Sequence, residues 1–512
     1  MRSRRFISLV GVVLVVVVAS YVITSKLISA IQGITSTTTY AVVGQPGTFN
    51  PLLARTDTFD LAMSKILYRG LVTFDAKMQP LGDLAESWTI SDDAKIYTVT
   101  IKQGQTWDDG EPITTQDIAY TYNFIKQNEQ IKLHFPFVDG VDVNIVNNEK
   151  VEFVLDEAFS PFLSILQLGI LPKHIWGEMN LSAFTSSKYN LQAVGSGAYK
   201  VLSITADNDE IQEMVLTPNN GSKQTLVFKF FDQESETITA FKLGDVDVLL
   251  NAGDKATETL SSWPNVNLIS SSVCGETVTM FINQESDQRV SAKAAFRDAL
   301  YAFIATSNTP LQLNATSLPR QHWAFTDPEV KTEITHEEAT NNLLTFANAD
   351  APLIIGMGPD DVAQSYANEL LEQLQGVGYP AETKEIALNT AEGGALASRD
   401  FDVVIFAQQF SQDPDQYQFW HSTQTDITSG GLNISGYSNR RMDKALEDAR
   451  TSIDFNVRKD NYASMELRLF EDKPALFFAA PSVKTIARIN KSPIVATQCI
   501  WSPSDYLVGD SN

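Results

Sequence analysis

Five histidines, His134, His174, His322, His336 and His421, are where metal or proton-transfer chemistry would first be sought in this chain. No two stand at i, i+3 or i+4, the spacings that put two imidazoles on one helical face, so no helical metal site is indicated. His336-Glu337-Glu338 lacks the second histidine that a zinc-protease helix requires. Gly195-Ser196-Gly197 lacks the G-x-S-x-G spacing of a nucleophile elbow. Neither a phosphate-binding P-loop nor a G-x-G-x-x-G fingerprint occurs. Carboxylates are plentiful and two of them could meet in space, yet spacing marks no pair. Cys274 and Cys499 are too few for a disulfide framework and match no metal knuckle. Pairing across the fold in an oxidising compartment and two separate buried thiols both stay open. The expectation is a protein that is not an enzyme, with no catalytic residues, no metal and no cofactor.

The elements that must position any binding chemistry begin with the charge and the N-terminus. Lys plus Arg number 38 and Asp plus Glu 62, a net charge of −24. Such a surface repels phosphate backbones, so nucleic acid is not an expected partner. The chain has 512 residues, 43% of them hydrophobic, enough for a large core in about three domains or two large lobes. Arg2, Arg4 and Arg5 precede an uncharged run from Phe6 to Ile23. As a helix that run rises about 27 Å, close to the hydrocarbon thickness of a bilayer. The basic residues ahead of it predict a cytoplasmic N-terminus and an exported remainder. No small-x-small site follows directly, which favours an uncleaved signal anchor over 1–26, with a cleaved export signal as the alternative. A small-residue and threonine-rich tether is expected over 27–39. No second span is visible, so the body is not a permease.

From Tyr40 the pattern is mixed α/β. Ala41–Val43, Tyr97–Ile101 and Thr225–Phe228 have strand composition. Trp107-Asp108-Asp109-Gly110-Glu111-Pro112 is a turn, with Gly110 suited to positive φ. Thr114 and Asp117 have capping-box spacing for a helix that buries Ile118, Tyr122 and Ile125. Phe296, Leu300, Phe303 and Ile304 share one helical face. Leu353–Met357 predicts a strand. The following helix places Val362, Tyr366, Leu370, Leu371 and Leu374 inward, with Gly376 or Gly378 as its stop. Phe401–Phe406 predicts a second buried strand. Strand, helix and strand at these lengths form a βαβ unit and a partly parallel sheet.

Several segments in fixed order resemble one family over roughly Tyr40 to Ser504. They are Gly44–Pro51, Ile66–Val72, Pro80–Trp88, the run from Tyr97 to Tyr122 holding Gly104, Trp107, Asp109–Pro112 and Asp117, then Gly195–Tyr199, Phe296–Leu300, Asp413–Asp415 and Asn433–Asn439 with Asp443. Together they resemble the family 5 extracellular solute-binding proteins, the oligopeptide-, dipeptide- and nickel-binding components of ABC importers. The resemblance implies a two-lobed periplasmic-binding-protein-like fold (type II, cluster C) with a hinge and an extra subdomain at about 75–180. Lobe one would hold 40–275, lobe two 276–480, and 481–512 would return to lobe one. A ligand buried between the lobes would stabilise the closed form.

The same resemblance nominates ligand contacts: Thr48, Phe49 and Asn50; Gly197 and Tyr199; Gln408, Gln409, Phe410, Asp413, Asp415, Tyr417 and Trp420; Asn433 and Tyr437. Asp413–Gln418 follows a predicted strand, where α/β folds place ligands. Trp107, Asp109 and Gly110 are expected to hold a hairpin and helix start, and Trp88 to be core. Peptide binders of the family place an acid before the Asp-Pro-Asp stretch; here 407–412 has none, and Phe410 stands at the matching place. Dipeptide binders place an arginine after the strand corresponding to 353–357, whereas 352–383 contains no Lys or Arg. An unpaired buried terminus costs several kcal/mol, so longer peptides held through their main chain, or uncharged ligands, suit Gln408, Gln409 and Gln412. The implied function is the monomeric, membrane-anchored, extracytoplasmic binding component of an ABC permease with its ATPase subunits, taking peptides or peptide-like solutes. A surface receptor or scavenger without dedicated import, and an anchored hydrolase of wall peptides, are the alternatives.

Overall fold

The computed structural model describes residues 36–491 except 55–57, 209, 220–223, 273–275, 286–287, 309, 321, 327–332, 388–393, 410–411, 480–481 and 490. The apolar run 6–23, Cys274, Cys499 and Phe410 therefore lie outside the described residues. Among the described residues no helix is long and apolar enough to cross a membrane.

The first of two large sheets has seven strands. Edge to edge they are Val266–Ser272, Ser482–Arg488, Val248–Leu249, Ser36–Val43, Gln224–Phe231, Glu210–Pro218 and Tyr199–Asp207. Ser36–Val43 runs parallel to Gln224–Phe231, residue for residue from Ser36 opposite Gln224 to Val43 opposite Phe231. Residues 36–39, expected as tether, are thus strand. Three consecutive threonines are β-branched and suit a pleated surface, and Thr38 is buried while the Thr39 amide donates to Asp247 Oδ2 at 3.0 Å. Helix α1 (Thr58–Leu67) packs on the Tyr199–Asp207 edge. Its Asp60 accepts from the amides of Gly47 and Thr48 at 3.0 and 2.8 Å, which ties the loop after the first strand to the helix.

A separate four-stranded antiparallel sheet, in the order Ala85–Ile90, Ile96–Ile101, Lys150–Leu155 and Val141–Ile145, is inserted into this half. Its cover is α2 (Thr115–Gln127), which opens on the expected Thr114–Asp117 capping box and buries Ile118, Tyr122 and Ile125. Trp107 is buried, and Gly110 takes φ +95° in the turn that follows it.

The second large sheet has six strands, in the order Leu313–Asn314, Ala475–Ala479, Glu276–Ile282, Val403–Gln409, Leu353–Met357 and Ala381–Glu385. Leu353–Met357 is parallel to both of its neighbours, giving the expected βαβ arrangement, with Ala381–Glu385 as an additional edge strand. Alternate residues feed two cores. Val403 and Ile405 face α3 (Ala294–Thr306) and α4 (Asp361–Gly376), while Val404 and Phe406 face α5 (Arg440–Thr451) and α6 (Phe455–Asp472). A strand buried on both faces is a continuous apolar run, as Val403–Phe406 is. In α4 the inward row is Ala363, Ala367, Leu370 and Leu374; Val362, Tyr366 and Leu371 flank it half-buried. Its stop is Gly378, at φ +81°, whose amide donates to Gln375 O at 2.9 Å. The chain passes from the first large sheet to the second after Ser272 and returns before Ser482.

Candidate functional site

The central strand Val403–Gln409 delivers residues 413–420 to one end of the second sheet, and their charges are neutralised within that half. Arg458 of α6 places Nη2 2.8 and 2.6 Å from the two oxygens of Asp413, and the Tyr462 hydroxyl donates to the same carboxylate at 3.3 Å. Desolvation works against the Arg458 charge, but Asp413 and Tyr462 outweigh it and hold the guanidinium above its ordinary range. Arg450 of α5 contacts Asp415 Oδ2 through Nε and Nη2, both at 3.1 Å. Burial raises the Asp415 carboxyl while Arg450 opposes the rise.

Beneath this pair of ion pairs runs a buried polar chain. The Trp420 indole N–H donates to Gln416 Oε1 at 2.7 Å, Gln416 Nε2 to Ser317 Oγ at 2.6 Å, and Ser317 Oγ to Glu466 Oε1 at 2.5 Å. The Ser317 amide completes it at 3.1 Å. Burial pushes Glu466 up to about 7 although the Ser317 bonds resist. His322, buried beside Asp413, is pushed down to about 4; its Nδ1 accepts from the Ala324 amide, so Nε2 carries the hydrogen toward Gln412 O.

Facing this wall across a cavity of about 940 Å³ is the first half of the molecule. That volume is typical of a small-ligand site. Leu61, Ser64 and Lys65 of α1, the aromatic rings of Phe135, Phe137, Phe159 and Phe162, and Gln167 form the first wall; Asp413, Asp415, Gln418, Phe419 and Arg450 form the second. Lys65 is half-buried, and desolvation pushes its ammonium down to about 7. Among the described residues, backbone hydrogen bonds join the walls at Ser160 and at Trp323. The Ser160 amide donates to Arg450 O at 2.7 Å, and its hydroxyl bonds Ser452 O. There the Arg450 guanidinium lies between the rings of Tyr417 (4.2 Å) and Phe159 (4.9 Å). The second contact is the Trp323 amide on Lys77 O at 3.1 Å.

Of the residues nominated from sequence, the structure brings Asp413 and Asp415 to this cavity, with Tyr417 behind Arg450 and stacked on His421. Phe410 lies outside the described residues, and the remaining nominated residues do not line the cavity. Thr48 is half-buried and held by Asp60; Phe49 packs on Phe59, and Asn50 donates to Asn190 Oδ1 at 3.1 Å, both fully buried. Gly197 and Tyr199 sit behind α1, not in front of it. A Cβ on Gly197 would stand 2.0 Å from Ile66 O, and one on Gly195 2.0 Å from Leu67 O. Trp420 is core. Asn433 ties a loop by donating to His421 O and Tyr437 O, and the Tyr437 hydroxyl donates to Asp472 at 2.5 Å. Gln408 and Gln409 continue the sheet opposite Thr277 and Glu276. Lys65, Arg450, Phe159 and Phe419 were not nominated. No motif marks them, though asking which cations neutralise Asp413 and Asp415 would have pointed to the arginines of the last two helices.

Residues 79–429, more than half of the chain, match the family described as bacterial extracellular solute-binding proteins, family 5 Middle. The chain is 22% identical over 482 residues to the oligopeptide-binding protein AppA of Bacillus subtilis (strain 168), covering 86% of this chain and 85% of that one. It is 23% identical over 488 residues to the dipeptide-binding protein of Escherichia coli (strain K12), covering 87% and 90%. The structure superimposes on the ABC transporter substrate-binding protein CtaP from Listeria monocytogenes with a TM-score of 0.72 at 20% identity, covering 92% of this chain and 99% of that one. Two sheets with separate cores, a cavity between them and a family match over most of the chain lead to one conclusion: this protein belongs to the family 5 bacterial extracellular solute-binding proteins.

Proposed function

We propose that this chain is the extracytoplasmic substrate-binding component of an ABC importer, capturing peptides or peptide-like solutes between its lobes and handing them to a membrane permease driven by ATPase subunits. The observation that carries this reading is the 940 Å³ cavity whose walls come from opposite halves of the molecule. A ligand touching both walls binds the closed arrangement better than an open one, and that difference is what closes the lobes. The chain crossings after Ser272 and before Ser482 act as the hinge, dividing a first lobe, with the four-stranded unit as its extra subdomain, from a second lobe over 276–480. Relatives named for oligopeptide and dipeptide binding support the substrate class. Within the cavity Asp413 and Asp415 are neutralised by Arg458 and Arg450, so the second wall offers a ligand polar surface with little net charge. The chain works as a monomer, and the run 6–23 anchors it to the outer face of the membrane.

Native mass spectrometry of the full chain, extracted without refolding, tests the reading. A heterogeneous family of peptide masses released from the protein is expected. A single non-peptide mass would replace the substrate class.

A further inference from the structure

We infer that the first-lobe wall selects peptides by an apolar side chain, aromatic above all, packed on Phe135 and Phe137. This rests on the inter-lobe cavity being the ligand site, and deepens that reading by naming the side-chain class the site prefers. The phenylalanines of the wall differ in what already engages them. Phe162 is buried, its ring 4.9 Å from that of Tyr97 and 5.4 Å from that of Phe153. Phe159 covers the Arg450 guanidinium. Phe135 and Phe137 line the cavity half-buried, their rings edge to face at 5.9 Å, and both are backed by the first-lobe core. Rings fixed from behind offer apolar area to a ligand without first having to be ordered. Leu61 of α1 extends the apolar surface of this wall, and Phe419 adds a ring from the second. Apolar groups thus enter from both lobes, and a ligand side chain that touches both favours the closed arrangement. The polar groups of the site call for no ligand charge. Asp413 and Asp415 are neutralised by Arg458 and Arg450, and burial favours the neutral form of Lys65. Gln167 keeps its amide nitrogen buried without a hydrogen-bond partner among the described residues, a neutral donor that a peptide carbonyl would satisfy. An acidic side chain laid on these rings would lose hydration and face Asp139, which lines the cavity two residues beyond Phe137. Both rings stand on the segment that leads into strand Val141–Ile145, so the inserted four-stranded unit carries the selectivity.

The test offers the full chain tetrapeptide sets on an alanine and glycine background, carrying phenylalanine, serine or lysine at every position in turn, with affinities read by native mass spectrometry and competition. The wild type is expected to bind the phenylalanine set about tenfold more tightly than the serine set, since burying an aromatic side chain is worth at least that much. Phe135→Ser and Phe137→Ser should each remove most of that preference and Phe137→Leu should keep most of it, all checked for an unchanged melting profile. Equal binding of the phenylalanine and serine sets by the wild type, or a preference for lysine, overturns the assignment without any variant and leaves the peptide-binding reading standing. A preference that survives in both serine variants overturns it too. Capture of none of the sets overturns both readings.

Discussion

The two walls of the cleft are built on opposite plans. In the second-lobe wall every acid has a dedicated cation: Asp413 has Arg458 and Asp415 has Arg450, with a closed polar chain from Trp420 to Glu466 beneath. The first-lobe wall instead combines phenylalanine rings with a desolvated lysine, and its carboxylates Asp139, Asp156 and Glu157 are exposed. The family segment Asp413–Asp415 is therefore part of a scaffold whose polar groups satisfy one another. A side chain already satisfied by its neighbours gains little from a solute, whereas a partly desolvated one gains much.

Deleting one buried cation from each wall breaks the comparison most directly. Arg458→Ala leaves Asp413 buried without its partner and is expected to cost about 3–5 kcal/mol, seen as a large drop in denaturation midpoint. Glu466 gives the next effect. Its folded value of about 7 lies above the ordinary 4.5 of a glutamate, so the folded state holds an extra proton between those values. Its contribution to stability is full below about 4.5 and is lost as pH rises toward 7, on the order of 3 kcal/mol in all. In Glu466→Gln that slope should vanish from the difference between the two stability–pH curves. Gly197→Ala drives a Cβ into Ile66 O and should cost about 1–3 kcal/mol. It should also weaken ligand binding, because α1 must shift; unchanged binding would show that the helix end yields independently of Lys65. Smallest, and opposite in sign to Arg458→Ala, is Lys65→Met. Below pH 7 it removes a desolvated charge and should raise stability by about 1 kcal/mol or less. The gain should fade between pH 7 and 10.5, where the folded wild type has already released its proton. A loss of stability in Lys65→Met at pH 6 would mean that the two walls follow the same plan after all.

Much of the fold was legible because local signals agreed with tertiary ones. The Thr114–Asp117 box, the helical face of Phe296, Leu300, Phe303 and Ile304, and the doubly buried run at 401–406 each have one structural solution. Alanine was undervalued in α4, where Ala363 and Ala367 allow the helix to sit close to the sheet while the larger Tyr366 stays at the flank. The threonines at 37–39 read equally as tether and strand, and only their parallel partner 224–231 decides. The site was less legible. Phe49, Tyr199 and Trp420 sit in segments with family character, but large aromatics in such segments more often fill the core, and all three are buried there. The residues that line the cavity come from α1, from loops near 135 and 160, and from α5, distant in sequence and united only by tertiary packing. Periodicity carries no information about which loop tips will meet.

The contact of Ser160 with the end of α5 bears on how fast a solute can leave. The oxygens it meets, on Arg450 and Ser452, belong to the end of a helix, where carbonyls have no partner further along the backbone. Water can take over such acceptors with little change in free energy. Parting the lobes at this point trades protein hydrogen bonds for hydration of nearly equal worth, so the contact aligns the two walls without locking them. The residence time of a captured solute is then set by the solute's own grip on both walls, which suits a carrier that must surrender its cargo.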